Sequence, residues 1–570
     1  MLRPTTTRTG AGMQDMDETH DFVVVGSGGG SMCAGLVMRK AGKSVLILEK
    51  TDLIGGSTAK AGGVMWIPNN RFMAEAGVQD SFEAAAAYLD NLVGNDEADA
   101  PGATRERRLA YLREAPEMLE FLIARGIRFQ RNPYWPDYND ELPGGNEPGR
   151  TVSADLFDLN ELGEWKHKLR PNKFTLPAPI ADALSLPLIK VSWKAKLKAA
   201  KIVLKGLAAK ITGKHWVTAG AALQGRMLQA ALRAGVELRT QAPVRELILH
   251  EGRVVGVLAE KDGKPWRVGA RLGVLLNAGG FAHNQAMRDR YIPNTRVEWT
   301  HAAPGDTGDM HQELMRIGAW MAQMNEMVGN QMTLPPGCVE AAGVQPQITK
   351  PHSILVDQSG VRYMNEGGSY MAFCQGMLRR HESVPAVPSW WIVDARFMRT
   401  YMLAETMPGS KKPREWYDSG YLKKADTIEA LAEACGIPPA ALKATVERFN
   451  HFARQGRDAD FGRGDSAYDR FLGDYTHKPN ATLGPLDEAP FYAVQVVPGD
   501  VGTFGGAVCD ARARVLREDG SVIEGLYATG TTTAAVMGRT YPGAGCSIGP
   551  SFTWGFVAAK DAAGLGNQTV

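Results

Sequence analysis

"DFVVVGSGGGSMCAGLVMRKAGKSVLILEK", residues 21–50, is the stretch on which the fold turns. Residues 22–25 are an unbroken apolar run, as expected of a strand buried on both faces of a parallel sheet. Gly26-Ser27-Gly28-Gly29-Gly30-Ser31 follows, then a helical pattern over 32–40 and a second apolar strand, 44–48, that ends at Glu49. Each part has a task. Gly26 permits a tight turn, and Gly28 lets the backbone approach a pyrophosphate seated on the helix N-terminus. Glu49 comes roughly 20 residues after Gly28, the spacing of a carboxylate that accepts hydrogen bonds from a ribose. The third fingerprint position is Ser31 in place of glycine, which predicts slightly looser packing of helix on strand. Strand, turn, helix, strand and acid together predict a dinucleotide-binding unit.

The next segment, "LIGGSTAKAGGVMWIPNN" (53–70), places Gly55, Gly56, Ser57, Thr58, Gly62 and Gly63 in a backbone-rich loop that can wrap a diphosphate and the edge of a flat ring. The far end of the chain supplies "GLYATGTTTA" (525–534), a short strand breaking into a small-residue turn. After it, "RTYPGAGCSIGPSFTWGFVAA" (539–559) reads as a Tyr-Pro-Gly turn and an apolar helix that starts near Ser547-Ile548-Gly549. Two distant segments meeting at one cofactor suit FAD, which extends across a domain, better than NAD. The helix start would aim its N–H groups at the flavin pyrimidine, where reduction places negative charge on N1–C2=O.

Composition bounds the rest. The 570 residues are 44% hydrophobic and 22% charged, with net charge +2, so nothing global argues for nucleic acid as a partner. Six cysteines are scattered without a CxxC pair, which predicts reduced thiols in a cytoplasmic protein rather than a disulfide framework or a metal site. Residues 1–17 lack the apolar core of a secretory signal and read as a flexible tail. No run reaches the ~18 apolar residues of a spanning helix. The segment 188–216 stands apart, with eight lysines and no acid. Lys190, Lys194, Lys198, Lys201 and Lys205 recur at helical spacing beside a stripe of Ile189, Trp193, Leu197, Leu204, Leu207 and Ile211. That pattern is expected of a helix lying on a membrane surface, here the inner face of the cell membrane. The alternative is a helix that packs its apolar stripe on the core.

Taken in order, the motif of 26–49, the loop GGSTAKAGG (55–63), "GVLLNAGGFAHN" (273–284), "ILVDQSGVRYMNEGGSY" (354–370) and "YPGAGCSIGPS" (541–551) resemble the flavoprotein superfamily of fumarate reductases and 3-ketosteroid dehydrogenases. Within it, the Tyr-Pro-Gly-x-Gly turn and "DYNDELPGG" (137–145) are similar to 3-ketosteroid Δ1-dehydrogenases. The resemblance implies an α/β fold: a discontinuous Rossmann-like FAD-binding domain, 18–330 and 503–570, with an inserted α+β catalytic domain, 331–502, and a basic insertion at 183–216. It implies non-covalent FAD, held by Gly26, Gly28, Gly29, Gly30, Ser31, Glu49, Lys50, Gly55, Gly56, Ser57, Thr58, Gly62, Gly63, Val244, Ala278, Gly279, Gly530, Gly545, Ser547 and Ile548. The middle of the chain is expected to hold helical stretches such as 425–453.

The implied reaction takes a proton from C2 and a hydride from C1 of a 3-oxo-4-ene steroid. It needs donors at the C3 oxygen, a base near C2 and a hydride acceptor facing C1. By resemblance, the Tyr541 hydroxyl and the Gly545 N–H are the donors and Tyr370 is the base. A free tyrosine titrates near ~10, so the base needs help toward phenolate. The resemblance nominates Tyr138 for that, with Tyr134 a neighbour that sequence does not exclude. Competing readings are a Δ4-(5α)-dehydrogenase acting elsewhere on the same ring, a fumarate-type enoate reductase, and a flavin-binding protein without turnover. The first is expected to carry a serine just after the tyrosine, where this chain has Pro542 and Gly543. The second needs a cationic clamp; Arg362 and Arg539 are present, but no matching His/Arg constellation accompanies them, and tyrosines occupy the expected site segments. The basic segment suggests bulky, insoluble steroids with a side chain as substrates, and a quinone-type or artificial acceptor is expected to reoxidise the flavin.

Overall fold

The computed structural model describes residues 13–173 and 176–566. Most of the expected tail, 1–17, lies outside the described residues, and Met13–Asp15 form a single 3-10 turn. In chain order the framework is β1 (Glu18–Val25), α1 (Gly29–Lys40), β2 (Val45–Leu48), β3 (Val64–Trp66), β4 (Thr151–Ala154), α2 (Trp193–Thr212), α3 (Ala219–Arg233), β5 (Glu237–Arg239) and β6 (Lys264–Leu276). It continues through β7 (Met327–Thr333), β8 (Ser353–Val356), α4 (Tyr370–His381), β9 (Ser389–Val393), β10 (Phe491–Thr503), β11 (Val522–Ala528) and α5 (Ile548–Ala562).

The main sheet has eight strands and runs β11-β6-β1-β2-β5 through its parallel centre. Strand β11 comes from the far end of the chain, so the sheet joins residues some 250 apart in sequence at Val274↔Leu526. Alternation along β1 feeds two cores: Phe22 and Val24 face the helices, while Val23 and Val25 face the other side of the sheet.

Helix α5 crosses α1 almost backbone to backbone. A Cβ on Gly29 would lie 1.8 Å from the Phe552 ring, and one on Gly30 2.2 Å from the Ser551 carbonyl oxygen. The looser packing expected from Ser31 is not found. Ser31 is fully buried and its hydroxyl accepts a hydrogen bond from Asn277 Nδ2 at 2.9 Å, so the hydroxyl ties the helix to β6 where a third glycine would only have allowed approach.

A second, six-stranded sheet runs β7-β10-β9-β8 with antiparallel pairing. Helix α4 lies against β7, close enough that a Cβ on Gly329 would meet Cys374 Cβ at 2.5 Å. The expected helical stretch 425–453 is two helices, Ile428–Cys435 and Pro439–Gln455, parted by Gly436 at φ +71°. The chain thus folds as an α/β structure with a parallel dinucleotide-type sheet and an inserted α+β layer.

The basic segment forms α2, capped by Ser192, whose hydroxyl accepts from the Ala195 N–H. Its packing reverses one of the two expectations. The helix rests on the protein through the small or branched Ala195, Ile202 and Ala209. The apolar stripe points outward: Trp193 is 78% exposed, Leu197 63%, Leu204 65% and Ile211 86%, with Leu207 and Val203 also in solvent. No helix among the described residues is long and apolar enough to cross a membrane.

Candidate active site

At the C-terminal ends of the parallel strands lies an open chamber. Its wall is built from Gly26 and Gly28 after β1, Glu49 and Lys50 after β2, Gly56, Ser57 and Thr58, Val244, Ala278 and Gly279 after β6, Gly530 after β11, and Ser547 and Ile548 at the start of α5. These belong to the residues that the sequence assigns to the cofactor. Gly26 has φ +92°, and a Cβ there would strike the Asn277 carbonyl oxygen at 2.2 Å, so the turn admits only glycine. Glu49 is engaged before any ribose arrives: it accepts from Ser27 Oγ at 2.5 Å and from the Thr51 N–H at 2.8 Å.

Other assigned residues stand behind the wall. Gly29, Gly30 and Ser31 serve the α1–α5 contact described above. Gly55 turns the chain at φ +108° and donates its N–H to Ser27 Oγ at 2.9 Å. Gly63 packs on α3, where a Cβ would meet Ala219 at 2.2 Å, and Gly62 faces open space. Gly545 sits on β3, where a Cβ would lie 2.5 Å from the Val64 carbonyl oxygen, and its φ of +99° suits glycine alone. Gly62 apart, the reason is common to them: small residues are needed as much for close backbone approach as for contact with a ligand.

Beyond the chamber's α5 end lies a cluster of buried phenols. The Tyr541 ring is 5.0 Å from that of Tyr370, and Tyr370 is 5.3 Å from Tyr138. Tyr134, in contrast, is 74% exposed, so the packing brings only Tyr138 to the cluster. Tyr370 is the first residue of α4, in the second sheet's layer, whereas Tyr138 and Tyr541 belong to segments packed on the first. The site therefore lies at the seam between the two layers. Tyr541 Oη accepts from the Ser547 N–H at 3.2 Å and shares a hydrogen bond with Ser547 Oγ at 2.9 Å. Ser547 itself lines the chamber, which connects phenol cluster and cofactor space through one residue. Among the described residues the Gly545 N–H finds no acceptor, leaving a donor four positions from Tyr541 on the same turn.

Burial dominates the electrostatics here. It pushes the Tyr541 phenol up to about 12, against hydrogen bonds from Ser547 and Tyr370 that favour ionisation. Burial likewise holds Tyr370 well above the ordinary tyrosine range, with Tyr541 adding to it and a hydrogen bond with Tyr138 opposing it. The help expected from Tyr138 is present but smaller than the desolvation it opposes, so Tyr370 rests as a neutral phenol. The two arginines considered for a carboxylate clamp are already committed. Arg362 pairs with Glu366 at 2.7 Å and Asp458 at 2.8 Å, and Arg539 with Asp99 at 2.8 Å and Glu326 at 2.7 Å.

Several residues of the site escaped the sequence reading. Tyr468 stacks on Tyr138 at 4.2 Å and its hydroxyl accepts from Gln345 Nε2 at 2.5 Å. Phe504 stands 5.9 Å from Tyr541. Nothing local marks either one as a site residue. Asp306 had a signal in the turn PGDTGD (304–309): it lines the chamber, accepts from Ser57 Oγ at 3.1 Å, and is pushed up to about 7 by burial, with Glu49 adding and Arg170 opposing.

The chamber's fit to a flavin dinucleotide agrees with the chain's relatives. A model of the FAD binding domain family matches residues 21–548. The 3-oxosteroid 1-dehydrogenase of Mycolicibacterium smegmatis is 38% identical over 96% of this chain and 97% of that protein. The 4-oxocyclohex-2-ene-1-carboxylate 5-dehydrogenase of Sinomonas cyclohexanicum is 33% identical over 96% of this chain and 94% of that one. Among solved structures, the 3-ketosteroid delta1-dehydrogenase from Sterolibacterium denitrificans, in complex with 1,4-androstadiene-3,17-dione, matches with TM-score 0.88 at 36% identity, covering 96% of this chain and 100% of that one.

Proposed function

The chain belongs to the FAD-binding flavoprotein family that includes the 3-oxosteroid 1-dehydrogenases, and on that premise we propose that it desaturates ring A of 3-oxo-4-ene steroids between C1 and C2. The observation that carries this reading is the turn that presents the Tyr541 hydroxyl and an unpartnered Gly545 N–H together, with Tyr370 5.0 Å away ring to ring. Both donors hydrogen-bond the C3 carbonyl oxygen and stabilise the negative charge it gains as C2 loses its proton. Tyr370 receives that proton. Because its phenol rests neutral, it does so as the phenolate, once its hydroxyl proton has left to solvent, and the hydrogen bond that Tyr138 donates stabilises that anion. FAD, when bound, supplies the acceptor for the hydride that leaves C1. The C1=C2 bond forms from the pair left at C2, giving the 1,4-dien-3-one. The chain's part is to orient ring A between its phenols and the chamber and to keep water from the enolate.

The division of labour follows the seam: residues 18–330 and 503–570 hold FAD, and 331–502 close over the substrate. Loop 55–63 has no histidine to bond the flavin, so FAD is held non-covalently. The outward stripe of α2, flanked by lysines, is read as a lipid-facing surface that draws hydrophobic steroids, including those with a long side chain, from an anionic membrane. The same surface suits a quinone-type acceptor, which dissolves in that membrane and takes the two electrons from the reduced flavin.

Anaerobic titration of the FAD-loaded protein with a 3-oxo-4-ene steroid tests the reading. The visible flavin band bleaches and a 1,4-dien-3-one accumulates in equal amount. Bleaching with a product unsaturated elsewhere in ring A would assign a different position of desaturation. Bleaching only by a small cyclohexenone carboxylate would move the substrate to that of the Sinomonas relative, and reoxidation of the reduced enzyme by fumarate alone would make it a reductase.

A further inference from the structure

The carbonyl-binding turn 541–545 is held from behind by groups that take no part in the reaction as proposed. The Pro542 carbonyl oxygen accepts two hydrogen bonds, from Tyr88 Oη at 2.7 Å and from the Tyr138 backbone N–H at 2.8 Å. One oxygen thus joins the turn of Tyr541 to the loop that carries Tyr138. Tyr88 in turn accepts from the Asn139 N–H at 3.3 Å. Beneath Gly543 lies the Trp66 indole, so close that a Cβ would be 2.6 Å from its ring. Trp66 donates Nε1–H to Asp137 Oδ1 at 2.7 Å. Asp137 is paired with Arg150, whose remaining nitrogens go to Asp80 at 2.6 and 2.9 Å. The Arg150 guanidinium covers the rings of Trp66 and Tyr88 at 5.7 and 5.6 Å. Trp66, Tyr88, Asp137 and Arg150 are all at most 1% exposed.

A buried ion pair is costly to desolvate and is weak evidence for stability as such. Its value here is geometric. Donors that stabilise a developing oxyanion act through preorganisation, and a displacement of about 1 Å costs on the order of 100-fold. The turn has no side chain at Gly543 or Gly545 to anchor it, so its position is set by what it rests on. We propose that Tyr88 and Trp66, locked by the buried Asp137–Arg150 pair, are positioning residues that set the spacing of the Tyr541 hydroxyl and the Gly545 N–H and couple it to Tyr138. This rests on the reading of Tyr541 and Gly545 as the carbonyl donors.

The test is a double-mutant cycle on the FAD-loaded enzyme, with flavin reduction followed by stopped flow at saturating steroid. Tyr88→Phe removes one oxygen and keeps the ring. The reduction rate is expected to fall about 10-fold, while steroid affinity, FAD content and melting temperature stay near those of the unaltered enzyme. In a Tyr541→Phe background the same change costs clearly less than 10-fold, because only the Gly545 N–H is left for the frame to position. An unchanged rate for Tyr88→Phe overturns the proposal, as does a 10-fold loss that persists in the Tyr541→Phe background. If Tyr88→Phe does not retain FAD, Thr151→Val carries the same cycle, since Thr151, the strand partner of Trp66, donates its Oγ1 hydrogen to the Ala544 carbonyl oxygen at 3.2 Å. If Tyr541→Phe itself reduces flavin at the full rate, the donor assignment fails, a result distinct from failure of the frame.

Discussion

As the proposed donor, Tyr541 has to stay protonated, and its burial keeps it so. Burial raises its phenol to about 12, so at neutral pH it is protonated and can donate to a substrate oxygen. Ser547, at the head of α5, accepts or donates at 2.9 Å and orients that hydroxyl. Tyr370 is proposed for the opposite duty, and the hydrogen bond that Tyr138 donates to it favours its ionised form. Replacing either Tyr370 or Tyr541 by Phe is expected to lower the rate of flavin reduction by steroid by on the order of 100- to 1,000-fold with FAD retained. Full activity in both variants would remove the site assignment. At this scale Tyr370 and Tyr541 are legible only through the family resemblance of the motifs that carry them, since each would otherwise read as a packed tyrosine. The sequence does not separate Tyr138 from Tyr134, four residues away, because both are tyrosines in the same loop and only packing buries one of them.

The elements divide in the same manner. Strand β1, helix α1 and strand β2 are legible from spacing alone, since a strand–turn–helix of this kind is stabilised by neighbours within roughly 30 residues. Helix α2 is legible as a helix, and of the two orientations its pattern allows the packing takes the one with the stripe outward. Its lysines and leucines predict an amphipathic segment, whereas the face that packs is the one with Ala195, Ile202 and Ala209. Lys196 and Lys205 lie over the Trp193 and Trp216 rings, at 4.3 and 5.3 Å, a cation–π arrangement at the outer surface. Co-sedimentation with anionic phospholipid vesicles checks the lipid-facing role. The protein is expected to pellet at low ionic strength and to be released by about 0.5 M salt, where screening cuts the attraction between lysines and headgroups. Leu197→Glu with Leu204→Glu is expected to abolish pelleting and leave turnover of a soluble steroid unchanged. Equal pelleting by the double variant would rule the helix out as the lipid contact.

At the scale of the whole molecule, the cofactor chamber is assembled from segments near residues 26, 49, 57, 278, 306, 530 and 547. That assembly buries Asp306 beside Glu49 and raises its carboxyl to about 7. The sign follows from linkage. A carboxyl whose folded pKa is above its unfolded one subtracts stability from the apo-protein as pH rises from the ordinary carboxylate range to about 7. The ionised form also adds negative charge to a chamber that receives a diphosphate. FAD binding to apo-protein, followed by quenching of flavin fluorescence, is therefore expected to weaken roughly 3- to 10-fold between pH 6 and pH 8. Asp306→Asn is expected to flatten that dependence, and an affinity equal at both pH values would refute it. The spacing of glycines and acid in 26–49, the glycine loop after it and the Tyr-Pro-Gly turn at the other end were enough to specify a flavin-type α/β fold. Each of those signals is local, a demand that a few consecutive residues place on their own backbone. Tertiary structure decided between Tyr138 and Tyr134, brought Tyr468 and Asp306 to the site, chose between the two orientations of α2, and packed Tyr88, Trp66, Asp137 and Arg150 behind the turn. Those outcomes depend on which distant surfaces meet, and burial, which sets every charge state at this site, exists only once they have met.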